Sequence, residues 1–269
     1  MPKKFNSRSY YTKPTLVLVS LIVLALSALL IRLPRLPSLP SRFSTTRKMS
    51  TTYAREYQIA LLAVQRAALL TREVYNTTAK GTVSKSDHSP VTIGDFGAQA
   101  LIISAIKHNF PGDEIVAEEE SDDLRADEAL REKVWGYVRK TRLDDETAEQ
   151  ELGGAVKSVD DMLAIIDSGR STGGRSGRIW TLDPIDGTKG FLRGGQYAIA
   201  LALMVDGDLK VGALGCPNLP VDDSVRLDSS IGTDQHGDEG KGALISAREG
   251  AGAWSQSLAQ GSLAERKKI

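Results

Sequence analysis

The chain has one cysteine, Cys216, and three histidines, His88, His108 and His236, in 269 residues. A single thiol excludes an intrachain disulfide and a thiolate zinc cage. The histidines lie far apart and lack the i, i+4 spacing that sets two imidazoles on one helical face. A metal held by this chain is therefore expected on oxygen donors, which suit magnesium, calcium or manganese rather than zinc. Acidic residues are absent before Glu56, although Lys3, Lys4, Arg8, Lys13, Arg32, Arg35, Arg42, Arg47, Lys48 and Arg55 all precede it. The remaining 24 of 34 basic residues face all 34 acidic ones in 56–269, so a leader of charge +10 joins a body of charge −10. An acidic body argues against nucleic-acid binding and suits a protein that collects cations. There is no internal repeat, and no GxxxxGK[ST]: GDEGKGA at 237–243 lacks both the spacing and the hydroxyl, which argues against a nucleoside-triphosphate loop.

What is present begins with the leader, 1–48. TLVLVSLIVLALSALLI (15–31) is an uncharged apolar run of 17 residues, the lower limit for a membrane-spanning helix. The RLPRLPSLPSR that follows offers no small-residue cleavage site, and both flanks are basic. A membrane anchor is the first reading. A basic, Ser-rich, acid-free mitochondrial targeting segment is the second. The third is an upstream extension, with Met49 as a cytosolic start. Residues 33–48 are a Pro/Ser/Arg linker in each case.

The body, 49–269, has ordinary globular composition, with 25% charged residues and 41% hydrophobic for the whole chain. Helical periodicity runs over 53–75 and again over 96–110, where Pro111-Gly112 stops it. Between them, VSKSDHSPVTIGD (83–95) is read as loop or strand ending. EIVAEEES (114–121) begins as a strand and ends in acids, and 126–139 is helical. Residues 152–178 contain the Gly/Ser/Arg loop SGRSTGGRSGR. IWTLDPIDG is a strand that runs into a turn. YAIALALMVDGDLKVGALG (197–215) is a hairpin about Asp206-Gly207, the loop from Cys216 is polar, and KGALISAREGAGAW (241–254) is a further strand pair. Helices followed by antiparallel strands predict an α+β fold.

The chemistry concentrates in WTLDPIDGTKGF (180–191), where Asp183 and Asp186 crowd together around Pro184. A turn there aims both carboxylates and the Ile185 carbonyl at one point. Left empty, such a site costs repulsion and raises a carboxylate pKa, and a hard divalent cation removes that cost. Gly187 would let a ligand approach the backbone. If Thr188 opens a helix, its amides and hydroxyl would form an anion site beside the metal. Such a pairing suits phosphoryl transfer to water. Glu118-Glu119-Glu120 and Asp95 are further candidates. Plainer readings stand beside these: a solvated surface for 118–120, a helix N-cap for Asp95, and an Asx-type turn for 183–188.

In that order, DHSPVTIGDFGAQ, VAEEES and WTLDPIDGTKGF resemble the lithium-sensitive, magnesium-dependent phosphomonoesterases that include the inositol monophosphatases. The continuation GTKGFLRGGQYAIALALMVDG…GCPNLP is closer to the 3′(2′),5′-bisphosphate nucleotidases, which hydrolyse adenosine 3′,5′-bisphosphate to AMP. The match covers 55–254. The resemblance implies two or three magnesium ions, held by Glu118, Asp183, the Ile185 carbonyl and Asp186. It implies that Asp95 and Thr188 orient and deprotonate the attacking water. The phosphate would lie over Gly187 and Thr188, with Lys189 as a weaker contact. It implies a small nucleotide substrate, with 3′-phosphoadenylyl sulfate as a further one, and the layered helix/antiparallel-sheet first domain of the family's fold. The family's second α/β domain carries a W-D-x-A motif that completes the metal site. Here Trp135 and Trp254 are followed by Gly-Tyr and Ser-Gln, and the sequence ends at AERKKI. The expectation is a C-terminally truncated member. An inositol or sugar phosphate phosphatase, and a non-catalytic membrane-tethered remnant, are the alternatives.

Overall fold

The computed structural model describes residues 52–79, 89–221 and 241–269. Helices α1 (Ala54–Ala79) and α2 (Pro90–Asn109) come first, followed by strand β1 (Glu114–Ala117). Four shorter helices follow: α3 (Asp122–Ala126), α4 (Glu128–Val138), α5 (Glu146–Glu151) and α6 (Val159–Asp167). Then come β2 (Arg178–Asp186), the short helix α7 (Thr188–Leu192), β3 (Ala198–Val205) and β4 (Asp208–Pro220). The chain ends with β5 (Lys241–Arg248), β6 (Gly252–Ser257) and β7 (Lys267–Lys268). The described strands form one sheet in chain order, with β1 and β2 parallel and every later neighbour antiparallel. This is the expected α+β class, with one parallel pair at the edge. Among the described residues no helix is long and apolar enough to cross a membrane, and the anchor expected at 15–31 lies outside them.

Helices α1 and α2 pack on each other and on one face of the sheet. Ile59, Leu62 and Leu70 of α1 share a single core with Ile102 and Ile106 of α2 and with Ile199, Leu201, Val211 and Ala213 of the sheet. The helices approach closely because Gly97 has no side chain: a Cβ there would sit 2.8 Å from the Leu70 methyls. An ion pair lies inside this core. Arg66 is fully buried, and its Nη1 donates to Glu149 Oε1 at 2.8 Å while its Nη2 donates to the Leu101 carbonyl at 2.8 Å. Glu149 Oε2 accepts the Leu143 N–H at 3.0 Å, so the pair ties α1, α2 and α5 together.

Several boundaries differ from the sequence reading. Helix α2 starts at Pro90, so Asp95 sits inside the helix and not in a loop or at an N-cap. Proline has no N–H to lose in a first helical turn and its φ already fits, so it starts the helix that its ring would interrupt elsewhere. Within 152–178 a helix, α6, precedes the Gly/Ser/Arg loop; Ser158 caps it by accepting the Asp161 N–H at 3.1 Å. Strand β2 continues through Pro184 to Asp186, and β4 absorbs CPNLP. The hairpin at Asp206-Gly207 is as expected, both residues having positive φ (52° and 84°). Of the histidines, His108 packs against Gly153, and His88 and His236 lie outside the described residues.

Removing only the acid of the buried pair leaves an uncompensated guanidinium in the core. Glu149→Ala is therefore expected to destabilise the chain by about 3–5 kcal/mol, whereas the double change Arg66→Met/Glu149→Leu costs far less. Urea-unfolding midpoints of the three proteins measure this, and equal losses in the single and double variants would contradict it.

Candidate active site

The site is built where β1 and β2 end together. Because the two strands run parallel, Ala117 pairs with Leu182, and the next residue of each, Glu118 and Asp183, emerge at the same edge. Further along β2 the ladder to β3 slips: Asp183 pairs with Ala200 but Asp186 with Ala198, so three steps on one strand match two on the other. That is a bulge. In a regular strand residues three apart point to opposite faces, and the extra residue brings the two carboxylates to the same one. Pro184 fits the bulge, where no ladder hydrogen bond is asked of it. Ile185 turns inward and is buried. The sharp turn that the sequence reading placed at Pro184 falls at Gly187.

Helix α2 is brought against this bulge by Gly94, where a Cβ would meet Ile185 Cδ1 at 2.7 Å. Asp95, the next residue, thereby joins the carboxylates of β1 and β2. One helical turn later, Gln99 reaches the acid run: its Nε2 donates to the Glu119 carbonyl at 2.7 Å and its Oε1 accepts the Glu119 N–H at 2.9 Å.

Thr188 opens α7 as anticipated, and Gly187, Thr188 and Lys189 form an exposed turn beside Asp186. Gly187 has φ 95°, and a Cβ on it would lie 3.3 Å from the Gln196 carbonyl oxygen. Its left-handed backbone and the nearby Gln196 carbonyl already require glycine here, whatever ligand approaches the turn. Gly190 is equally confined, since a Cβ on it would run into the Gln196 carbonyl. The loop behind it is clamped to β4: Asn218 Nδ2 donates to the Gly195 carbonyl at 2.6 Å, and Gln196 Nε2 donates to the Asn218 carbonyl at 2.5 Å. Among the described residues no hydrogen bond joins Thr188 to Asp95.

Burial and mutual repulsion dominate the electrostatics. Burial pushes Asp183 up to about 8, helped by the charges of Glu118 and Asp186 and opposed by an N–H bond from Ile185, the pattern of an Asx turn. Asp95 is raised well above the usual carboxylate range, first by burial and then by Glu119, Glu118 and Asp183. Glu118, whose side chain stays exposed, is raised by partial desolvation and by Asp186, and Asp186 by burial. Cys216, on β4, is pushed up to about 12 by burial and by Asp186, so its thiol stays protonated. The cluster thus gathers Asp95, Glu118, Asp183 and Asp186 as expected and adds Glu119. The i, i+4 spacing of Asp95 and Gln99 was the sequence signal for that amide, whereas nothing in an unbroken EEE run distinguishes Glu119.

Among the described residues no three His, Cys, Asp or Glu side chains stand close enough to enclose a metal ion as they are. The carboxylates share one electrostatic field, not yet one coordination sphere. Yet the donor set fits a hard cation. Asp183 Oδ1 is buried without a hydrogen-bond partner, as is Thr181 Oγ1 two residues earlier on β2. A buried carboxylate oxygen with no donor is costly unless a cation answers it. The other donors that could share such an ion, Glu118, Asp186 and the Ile185 carbonyl, are also oxygens.

An α+β layer with oxygen donors at paired strand ends, next to a glycine turn that opens a helix, defines the class. The model of the inositol monophosphatase family matches residues 53–268, and the chain belongs to that family. The 3′(2′),5′-bisphosphate nucleotidase of Emericella nidulans is 61% identical over 218 residues, which are 81% of this chain and 62% of that protein. The protein of the same name from Schizosaccharomyces pombe is 54% identical over 172 residues, 62% of this chain and 48% of that one. The 3′(2′),5′-bisphosphate nucleotidase 1 of Candida albicans is 42% identical over 210 residues, 77% of this chain and 55% of that one. The chain thus spans between about half and three fifths of the length of these curated relatives.

The raised carboxylates fix the sign of a pH dependence. Asp183 keeps its proton up to about 8 in the folded chain but only to 3.8 when unfolded. Its contribution is fully present below the unfolded value and is lost as pH rises through the folded one, a shift that corresponds to several kcal/mol. The melting temperature of the cation-free protein is expected to fall between pH 5 and pH 8, and Asp183→Asn to fall less steeply. Parallel curves for the two proteins would contradict this.

Proposed function

We propose that the chain is the metal- and phosphate-binding part of a magnesium-dependent phosphomonoesterase that removes the 3′-phosphate of adenosine 3′,5′-bisphosphate, leaving AMP. The observation that carries this reading is the partnerless, buried Asp183 Oδ1 within a carboxylate cluster that borders the exposed Gly187–Lys189 turn. The names of the relatives that are 61% and 54% identical support the nucleotide over an inositol or sugar phosphate. With 3′-phosphoadenylyl sulfate the same cleavage yields adenylyl sulfate.

Glu118, Asp183, Asp186 and the Ile185 carbonyl are the residues to hold the cation, and the family reading expects two or three ions. When bound, the ions offset the carboxylate charge, lower the pKa of water and steady the leaving oxygen. Asp95 and Thr188 act on the attacking water: once cation and substrate draw the two together, the Thr188 hydroxyl would take the water's proton and pass its own to the Asp95 carboxylate as the new O–P bond forms. For this Asp95 must be ionised, which a neighbouring cation favours. The first amides of α7 and the Thr188 hydroxyl orient the phosphate from the exposed turn, and Lys189 adds a more distant positive charge. The P–O3′ bond breaks on the opposite side, and the 3′-oxygen takes a proton from solvent.

Magnesium-dependent phosphate release by the 269-residue chain tests the proposal. Release from adenosine 3′,5′-bisphosphate is expected to exceed release from inositol 1-phosphate and to fall at least a hundredfold in Asp183→Asn, roughly the loss seen when one preorganised charge-stabilising group is removed. A preference for inositol 1-phosphate would shift the assignment to the sugar phosphatases. No release from either would leave a cation-binding remnant.

A further inference from the structure

Glu118 and Glu119 follow β1 at Ala117 and enter a region already occupied by Asp95, Asp183 and Asp186. Repulsion would drive this segment outward, yet it stays. Its far end is fixed at Ser121, whose N–H and hydroxyl donate to Asp167 at 3.1 and 2.8 Å. Its centre is fixed by one side chain. Gln99 is fully buried on α2 and engages both backbone groups of Glu119, donating at 2.7 Å and accepting at 2.9 Å. Its Nε2 also lies 3.4 Å from the Ile166 carbonyl at the end of α6.

The chemistry of the amide matters. A lysine or arginine at this place would pair with the carboxylates and compete with any cation, and a glutamate would add to the repulsion. A primary amide offers a donor and an acceptor together, as a neighbouring strand does, and carries no charge. It holds the backbone of the acid run without adding or neutralising any charge itself.

We propose that Gln99 is a positioning residue of the divalent-cation site, holding Glu118 and Glu119 against Asp95 and Asp183 through the Glu119 backbone. The inference rests on the cation-site reading above, and goes beyond it in naming what keeps the site assembled. A matched control exists in the same fold. Gln65, also fully buried, makes the same two-ended clamp on the C-terminal segment: its Nε2 donates to the Gly261 carbonyl at 2.7 Å and its Oε1 accepts the Ala259 N–H at 3.1 Å.

The test is direct Mn²⁺ titration of the whole chain, by calorimetry and by the electron paramagnetic resonance signal of free Mn²⁺, in the wild type, Gln99→Met, Gln65→Met and Asp183→Asn. Near-UV circular dichroism checks that each is folded. Gln99→Met is expected to weaken Mn²⁺ binding about ten- to a hundredfold, the usual range for a group that supports metal ligands from behind. Gln65→Met should lower the cation-free melting temperature comparably and leave Mn²⁺ affinity unchanged. Equal Mn²⁺ affinities in the two glutamine variants overturn the role of Gln99 while leaving the cation site standing. Wild-type affinity in Asp183→Asn, or no binding by the wild type, overturns the cation site and the inference with it. A measurement on the wild type alone covers the case in which Gln99→Met does not fold. The Glu119 amide should exchange with deuterium as slowly as amides within the sheet, and free exchange there would also overturn the clamp.

Discussion

Like charges brought out of water repel, and this chain brings five carboxylates into one another's field at the ends of two parallel strands. Burial and mutual charge raise the pKa values of Asp95, Glu118, Asp183 and Asp186, and Glu119 adds its charge to the same field. Such an arrangement subtracts from stability in the cation-free protein. It persists because groups that carry no charge enforce it.

Those groups are distributed over the fold and share one trait: each works on backbone. The bulge between Asp183 and Asp186 sets two acids on one face of β2. Gly94 lets α2 come within contact of Ile185, and this carries Asp95 to the strand ends. Gln99 grips Glu119 by its amide and carbonyl. The Gln196–Asn218 clamp closes behind Gly187 and Gly190, so the exposed turn at Thr188 is held from the far side by β4. Among the described residues, the fully buried guanidinium of Arg66 joins helices and takes no part in the site. The cluster thus rests on an already rigid scaffold of α1, α2 and the sheet, as a preorganised site requires.

Membership of the inositol monophosphatase family rests on most of the described residues, 53–268 of the sequence. The chain nonetheless spans only 62%, 48% and 55% of the three relatives compared. The described residues contain a set of oxygen donors and an exposed turn beside them.

The sequence by itself determined the oxygen-donor character of the site, since one cysteine and scattered histidines allow little else. It also showed the hairpin at Asp206-Gly207, the α+β class, and the candidates Asp95, Glu118, Asp183 and Asp186. These follow from residue chemistry and local periodicity, which a linear chain displays openly. The start of α2 at Pro90 did not, because proline stops a helix in one position and begins it in another, and only the packed chain decides which. The bulge, the parallel pairing of β1 with β2, and the inclusion of Glu119 were likewise decided in three dimensions. Ladder register and side-chain direction depend on partners tens of residues away, such as Ala200 for Asp183 and Gln99 for Glu119, and no local pattern encodes them.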